Sequence, residues 1–345
     1  MSDYEKYSKR RTLLGLSLLV FLILFALYSL FTGSYNLSLA ELLQGLIRGD
    51  KTVNLILWNI RLPRIISAII AGLSLALAGA VMQSILRNPL ASPYTLGISQ
   101  GAAFGASFAI IVLGVGVLHR TGEGVTIINP YVVPFFAFAG SLIGVTVVML
   151  LAKLRGLSPE AMILAGVAMG SLFQAATMLI QYFAENEILV ASVVFWTFGD
   201  LGRSVWREIG IMSVLAIVSL IYFLYRRWDF NALMEGDDVA LSLGVDPKRV
   251  RIEGMILSSL LTAVCVSFLG IIGFIGLVAP HLIRLLIASD YRYLIPVSAL
   301  TGSTLLLVSD TVGRTIISPV MIPVGIVTSF IGAPTFIYLL MRKRI

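Results

Sequence analysis

Residues 79–105 read GAVMQSILRNPLASPYTLGISQGAAFG. One apolar segment runs into a short polar break at Arg87-Asn88-Pro89 and Ala91-Ser92-Pro93, and a second apolar segment dense in Gly and Ala follows. Each proline pushes the residue before it out of the helical region, so the chain has to turn here. Gly97, Gly101 and Gly105 then recur every four residues and lay a bare stripe along the next helix, which lets a neighbouring backbone approach. The pattern predicts two membrane helices meeting at a rigid polar corner.

Composition sets the class around that corner. The 345 residues are 58% hydrophobic and only 12% charged, with a mean hydropathy of +0.96. That is more apolar surface than a water-soluble core of this size would hide. The expected fold is an all-α polytopic membrane protein, one transmembrane domain over residues 1–345. Cys265 is the only cysteine, which rules out a disulfide framework or a thiolate cluster. His119 and His281 are too far apart in sequence to suggest a metal pair. No metal, cofactor or catalytic residue is expected.

About ten apolar spans follow from a pass along the chain. Basic Lys6, Lys9, Arg10 and Arg11 precede the first, at about 13–31, which lacks a small-residue cleavage site and reads as an uncleaved helix. Ser38-Leu39-Ala40-Glu41 has capping-box spacing and predicts a short surface helix ending near Gly49. A second span ends near Leu86, a third near Leu118, and a loop from His119 to Tyr131 leads to a fourth at about 132–151. Ser158-Pro159-Glu160 is a compact helix start, with a capping hydroxyl, a proline in the first turn and a carboxylate near the positive end of the dipole. The fifth span, about 161–182, carries Gly166 and Gly170 in the same packing spacing as Gly140 and Gly144 in the fourth. Glu185 to Arg207 reads as a broken interfacial helix before a sixth span at about 209–225, and four more spans lie near 255–272, 276–287, 294–312 and 322–341.

Charge orients the spans. All but eight of the 25 basic residues fall on the side of the two termini. The eight are Arg48, Lys51, Arg61, Arg64, Arg120, Arg203, Arg207 and Arg314, so both termini are expected in the cytoplasm. Arg61 and Arg64 flank the Leu-Pro that opens the second span, and Arg314 follows Asp310 by four residues. These arginines either snorkel to headgroups, with Arg314 paired to Asp310, or form a cationic rim for the carboxylates of an outside partner. The longest polar segment, Arg226 to Glu253, contains two short helical pieces and a Gly244 cap. It is either a solvated loop or a docking face built on Ala240, Leu243 and Val245.

Several long motifs carry a family resemblance. RLPR at 61–64, GAVMQSILRNPLASPYTLGIS at 79–99, ILAGVAMG at 163–170, GFIGLVAPHLIRLL at 273–286 and PVGIVTSFIGAPTFIYLL at 323–340 resemble the permease subunits of the type II ABC importers for ferric siderophores, haem and cobalamin. The resemblance covers nearly the whole chain. It implies ten helices with inverted repeats, a homodimer with its pathway at the interface, two ATPase subunits on the cytoplasmic side and an extracytoplasmic binding protein. It implies a multi-pass protein of a prokaryotic inner membrane that is not itself an enzyme, with ATP and Mg held by the ATPase; the chain has no GxxxxGK[ST] loop of its own.

By matching motif, Arg61, Arg64 and Arg314 would meet acidic residues of the binding protein. Glu235, Gly236, Ala240, Leu243, Gly244 and Val245 would form the ATPase-coupling segment. Asn88, Pro89, Leu90, Ser158, Pro159 and Glu160 would lie at the cytoplasmic gate, although Glu160 puts a carboxylate where small neutral residues are expected. The cargo is expected to be a metal chelate, ferric siderophore ahead of haem, cobalamin or molybdate. The rival class is an ion-coupled secondary transporter, which needs ionisable groups at membrane depth; Asp310 is the only strong candidate.

Overall fold

The structure is a computed structural model that describes residues 3–33, 50–118, 125–127 and 129–341. The short helix expected at 38–49, most of the loop around His119 and Arg120, and the terminal basic residues lie outside the described residues. The elements are helices α1 (Asp3–Phe31), α2 (Lys51–Ile85), α3 (Ile98–Val112), α4 (Val132–Lys153), α5 (Pro159–Tyr182), α6 (Glu187–Thr197), α7 (Trp206–Tyr225), α8 (Arg227–Met234), α9 (Asp237–Ser242), α10 (Pro247–Leu269), α11 (Ile275–Ile287), α12 (Tyr291–Thr315) and α13 (Val324–Met341). Strands β1 (Gly116–Leu118) and β2 (Val125–Ile127) form one small antiparallel hairpin between α3 and α4.

Seven of the described helices are long and apolar enough to cross a membrane: α1, α2, α4, α5, α7, α10 and α12. The expected third, eighth and tenth spans are the shorter apolar helices α3, α11 and α13. At 13 residues, α11 is about 20 Å long, below the roughly 30 Å of a hydrocarbon core. The third span stops at Val112, and Gly116–Leu118, expected at its end, form β1 instead. The stretch after α5, expected as a broken helix, divides into α6 and a short 3-10 turn at Leu201–Arg203.

The chain divides into two compact units. One comprises Met1–Ala80, Asp200–Asn231 and Gly273–Ile345, the other Val81–Gly199 and Ala232–Ile272. In the first, α12 is the central helix. Gly72 of α2 and Gly302 of α12 meet backbone to backbone, leaving no space for a Cβ on either, and Ser303 Oγ donates to the Ile69 carbonyl at 2.8 Å. The helix α1 lies along α12, with Gly15 against Val297 and Ser29 Oγ 3.1 Å from Thr311 Oγ1. At one end Arg11, almost wholly buried, donates to Asp290 Oδ2 at 3.0 Å and caps the Ile287 carbonyl. Asp290 also takes Asn231 Nδ2 and the Arg292 side chain, so one carboxylate ties α1, α8 and the start of α12.

In the second unit α3 packs among α4, α5 and α10. Its core is made of small side chains, Ala102, Ala106, Ala109 and Ala137, filled in by Ile110, Val133, Val193, Trp196 and Val266. Such a core gains from close van der Waals contact between backbones, the main association force where the solvent is itself apolar.

Candidate functional site

The arginine cluster of the first unit begins with a proline. Pro63 lacks the N–H that the carbonyl of residue 59 would otherwise receive, and α2 widens into a π turn over Ile56–Arg61 just before it. The turn sends Arg61 to the Leu30 carbonyl at the end of α1. One turn further, Arg64 Nε donates to Asp310 Oδ1 at 2.8 Å, while Arg314 Nε donates to Asp310 Oδ2 at 2.9 Å. The Asp310 side chain has no exposure at all. Arg314 also bonds Ser29 Oγ and the Thr32 carbonyl, and the second amino group of Arg64 reaches Asp200, whose side chain is 37% exposed, at 3.3 Å.

Of the sequence readings of Arg314, the i, i+4 pairing with Asp310 is present. All three arginines are under 10% exposed. Three guanidiniums against two carboxylates leave the cluster net positive. One fully buried aspartate bonded by two guanidiniums serves as their shared structural counter-ion.

In the second unit the segment between α8 and α10 is a capped short helix. Gly236 and Gly244 sit at φ +115° and +78°, a region that favours glycine. Gly244 and Val245 close α9 with bonds to the carbonyls of Leu241 and Ala240, a Schellman motif. Ala240 is fully buried under α9, so it anchors the helix, while Val239, Leu241 and Leu243 are 41%, 58% and 66% exposed. The apolar surface is therefore carried by Val239, Leu241 and Leu243; Glu235 is exposed beside it and Val245 half-buried.

Asp237, the first residue of α9, grips Arg251 of α10. Arg251 NH1 and NH2 reach the two carboxylate oxygens at 2.8 and 2.6 Å, and Arg251 Nε donates to the Ile85 carbonyl at 3.1 Å. Arg87 approaches the same carboxylate at 3.5 Å. The hydrogen bonds from Arg251 hold the Asp237 carboxyl below the usual carboxylate range against the opposing pull of burial, with help from the Arg251 and Arg87 charges.

The expected gate residues are two local caps of this unit. Asn88 Oδ1 accepts the Leu90 N–H at 2.9 Å, and Pro89 and Leu90 form the turn. Ser158 Oγ accepts the Ala161 N–H at the start of α5, with Pro159 buried and Glu160 exposed in the first turn. Gly97 is the left-handed cap before α3, at φ +76°, rather than the first member of a helical stripe. Gly101 and Gly105 do form that stripe, against Gly140 and the Phe136 backbone of α4; Gly144 faces the Phe173 ring, and Gly166 faces Leu96. Gly170 meets Gly97 at ordinary contact distance.

Sequence spacing missed Arg251, Asp237 and Asp200. A basic residue beside a polar loop is read as a topology marker, and nothing local shows that Arg251 is 1% exposed.

The FecCD transport family model matches residues 19–342. The chain is 58% identical over 345 residues to a Methanocaldococcus jannaschii protein assigned as an ABC transporter permease, covering 99% of this chain and 98% of that one. It is 36% identical to the hemin transport system permease of Yersinia pestis over 97% and 96% of the two chains. A solved inward-facing structure assigned to the metal-chelate type of ABC transporter superposes with a TM-score of 0.81 at 30% identity, over 97% of this chain and all of that one. The motifs of the polar corner, the α9 segment and the arginine cluster lie within the matched residues, and the chain belongs to the FecCD transport family, as a permease of the ABC type.

Proposed function

We propose that the chain is the membrane-spanning subunit of an ATP-driven importer that moves a metal chelate inward across a prokaryotic inner membrane. The observation that carries this reading is the family match over residues 19–342, with the full-length similarity to a hemin permease beside it. Two copies of the chain enclose the pathway, ten spans leave both termini in the cytoplasm, two ATPase subunits dock below and a binding protein delivers cargo above. Ferric siderophore is the first cargo to try, then haem and cobalamin.

The geometry supports a division of labour. Val239 and Leu241 on α9, with Leu243 at its C-terminal cap, offer the ATPase an apolar face held at fixed orientation by two glycines. Arg61, Arg64 and Arg314 make a net cationic site at the outer end, where the binding protein's carboxylates compete with Asp200 for Arg64. ATP binding closes the partner subunits, displaces α9 and rocks the helices to alternate access. A chelate is released from walls of Gly, Ala, Ser, Thr and apolar side chains, which bind it weakly.

The test is a mild-detergent purification of the tagged chain from its own cells, with mass spectrometry of what accompanies it and uptake of a radiolabelled ferric chelate with and without ATP depletion. A P-loop ATPase in equal amount and uptake lost on ATP depletion are expected. Uptake that follows the proton gradient and ignores ATP depletion would instead make the chain a secondary transporter.

A further inference from the structure

The end of α2 lacks a donor. The carbonyl of Ile85 should receive the N–H of the residue four positions on, and that residue is Pro89, which has none. The helix stops in a Schellman turn, with Arg87 N–H on Ser84 and Asn88 N–H on Gln83, and Arg87 is held at φ +45°, an unfavourable place for a residue with a Cβ. The missing donor comes from α10 instead, where Arg251 Nε donates to the Ile85 carbonyl at 3.1 Å.

The other two nitrogens of the same guanidinium hold Asp237 at the start of α9, and Arg87 joins that carboxylate from the corner itself. A planar fork that binds a carboxylate with one edge and a carbonyl with its Nε fixes both partners relative to each other.

We propose that Asp237, acting through Arg251 and Arg87, is the positioning residue that carries displacement of α9 to the C-terminal end of α2 and the Arg87–Pro93 corner. The inference rests on the importer reading, in which α9 meets the ATPase. Loss of the carboxylate leaves Arg251 nearly buried without its counter-charge and frees Arg87, so α9 then moves without taking the corner along. The ATPase still docks, because Val239, Leu241 and Leu243 are untouched.

The experiment uses the full complex in proteoliposomes and reads uptake of a radiolabelled ferric chelate per ATP hydrolysed. Asp237→Asn is expected to lower that ratio about fivefold with the ATPase subunit still bound, and Asp237→Glu to restore most of it. Arg251→Lys keeps the charge but loses the fork, and should behave like Asp237→Asn. Arg87→Ala alters a side chain that is 34% exposed, so its insertion is not at risk, and should lower the ratio about twofold. Unchanged ratios in Arg87→Ala and Arg251→Lys overturn the inference, as does an Asp237→Asn complex that loses its ATPase, which would make Asp237 a docking residue. If the unsubstituted chain itself binds no ATPase, the importer reading falls and takes this inference with it; coupled transport that persists in the variants removes this inference alone.

Discussion

A Cβ placed on Gly101 would lie 2.6 Å from the carbonyl oxygen of Gly140. The two helices carrying them, α3 and α4, touch along their backbones, so neither has a side chain that could move aside. Gly101→Ala is expected to destabilise the second unit by about 1–3 kcal/mol, the range for overpacking a tight interior. Thermal unfolding in detergent, with yield of the inserted chain, checks this; Gly210, where an added Cβ meets nothing within 4 Å, is the control site.

The Asp310 carboxylate is bound at 2.8 Å by Arg64 and at 2.9 Å by Arg314. Asp310→Asn leaves two nearly buried guanidiniums without their shared counter-charge, and is expected to cost about 3–5 kcal/mol, as for a buried pair that loses one partner. A variant that melts with the unsubstituted chain would show that water or lipid headgroups already neutralise the cluster.

Asp290 gives a pH dependence. Burial pushes its carboxyl upward, but hydrogen bonds from the Arg292 side chain and backbone and from Asn231 outweigh it, and the net shift is downward. A carboxyl lowered on folding adds stability that is fully present above its unfolded value, about 4, and is lost as pH falls through the lower folded value. The melting difference between the unsubstituted chain and Asp290→Asn should therefore be constant from neutral pH to about 4 and shrink below it. A difference that closes already near neutrality would point to another group.

The corner at Arg87–Pro93 and the Gly244 cap were legible because their causes are local: a proline removes a donor, and a left-handed position favours glycine. The packing stripe of Gly101 and Gly105 was legible for the same reason, and Gly97 was misplaced by one element only because four-residue spacing does not mark where a helix starts. The i, i+4 pairing of Asp310 and Arg314 could be read, while the second claim on that carboxylate by Arg64 could not, since it joins residues 246 positions apart. Ala240 was read as part of a docking face and proves fully buried. In a segment with few apolar residues, hydrophobicity alone does not say which face of a two-turn helix turns inward.

Gly244 separates docking from folding. An added Cβ there meets nothing within 4 Å, but φ is +78°, a conformation that costs an ordinary residue roughly 1–2 kcal/mol. Gly244→Leu should leave the chain inserted while distorting the turn beside Leu243, and both uptake and cargo-stimulated ATP hydrolysis should fall by about tenfold or more. Unchanged uptake would remove α9 from the ATPase interface.

Asp200 tests the arginine cluster from the opposite direction. Its carboxylate lies 3.3 Å from Arg64 and is 37% exposed, whereas Arg64 is 9% exposed. A carboxylate of the binding protein that approaches Arg64 must displace this internal partner. Partly exposed pairs of this kind contribute about 0.2–1 kcal/mol, so Asp200→Asn should tighten docking of the binding protein by up to about fivefold, and Arg64→Ala should weaken it. The gain should fade as salt rises and screens the partner's carboxylates. Equilibrium binding of the labelled binding protein to the purified complex, measured at two salt concentrations, decides the point. Tighter binding places Arg64 in the interface; weaker binding in Asp200→Asn would mean that Asp200 holds Arg64 in its docking pose.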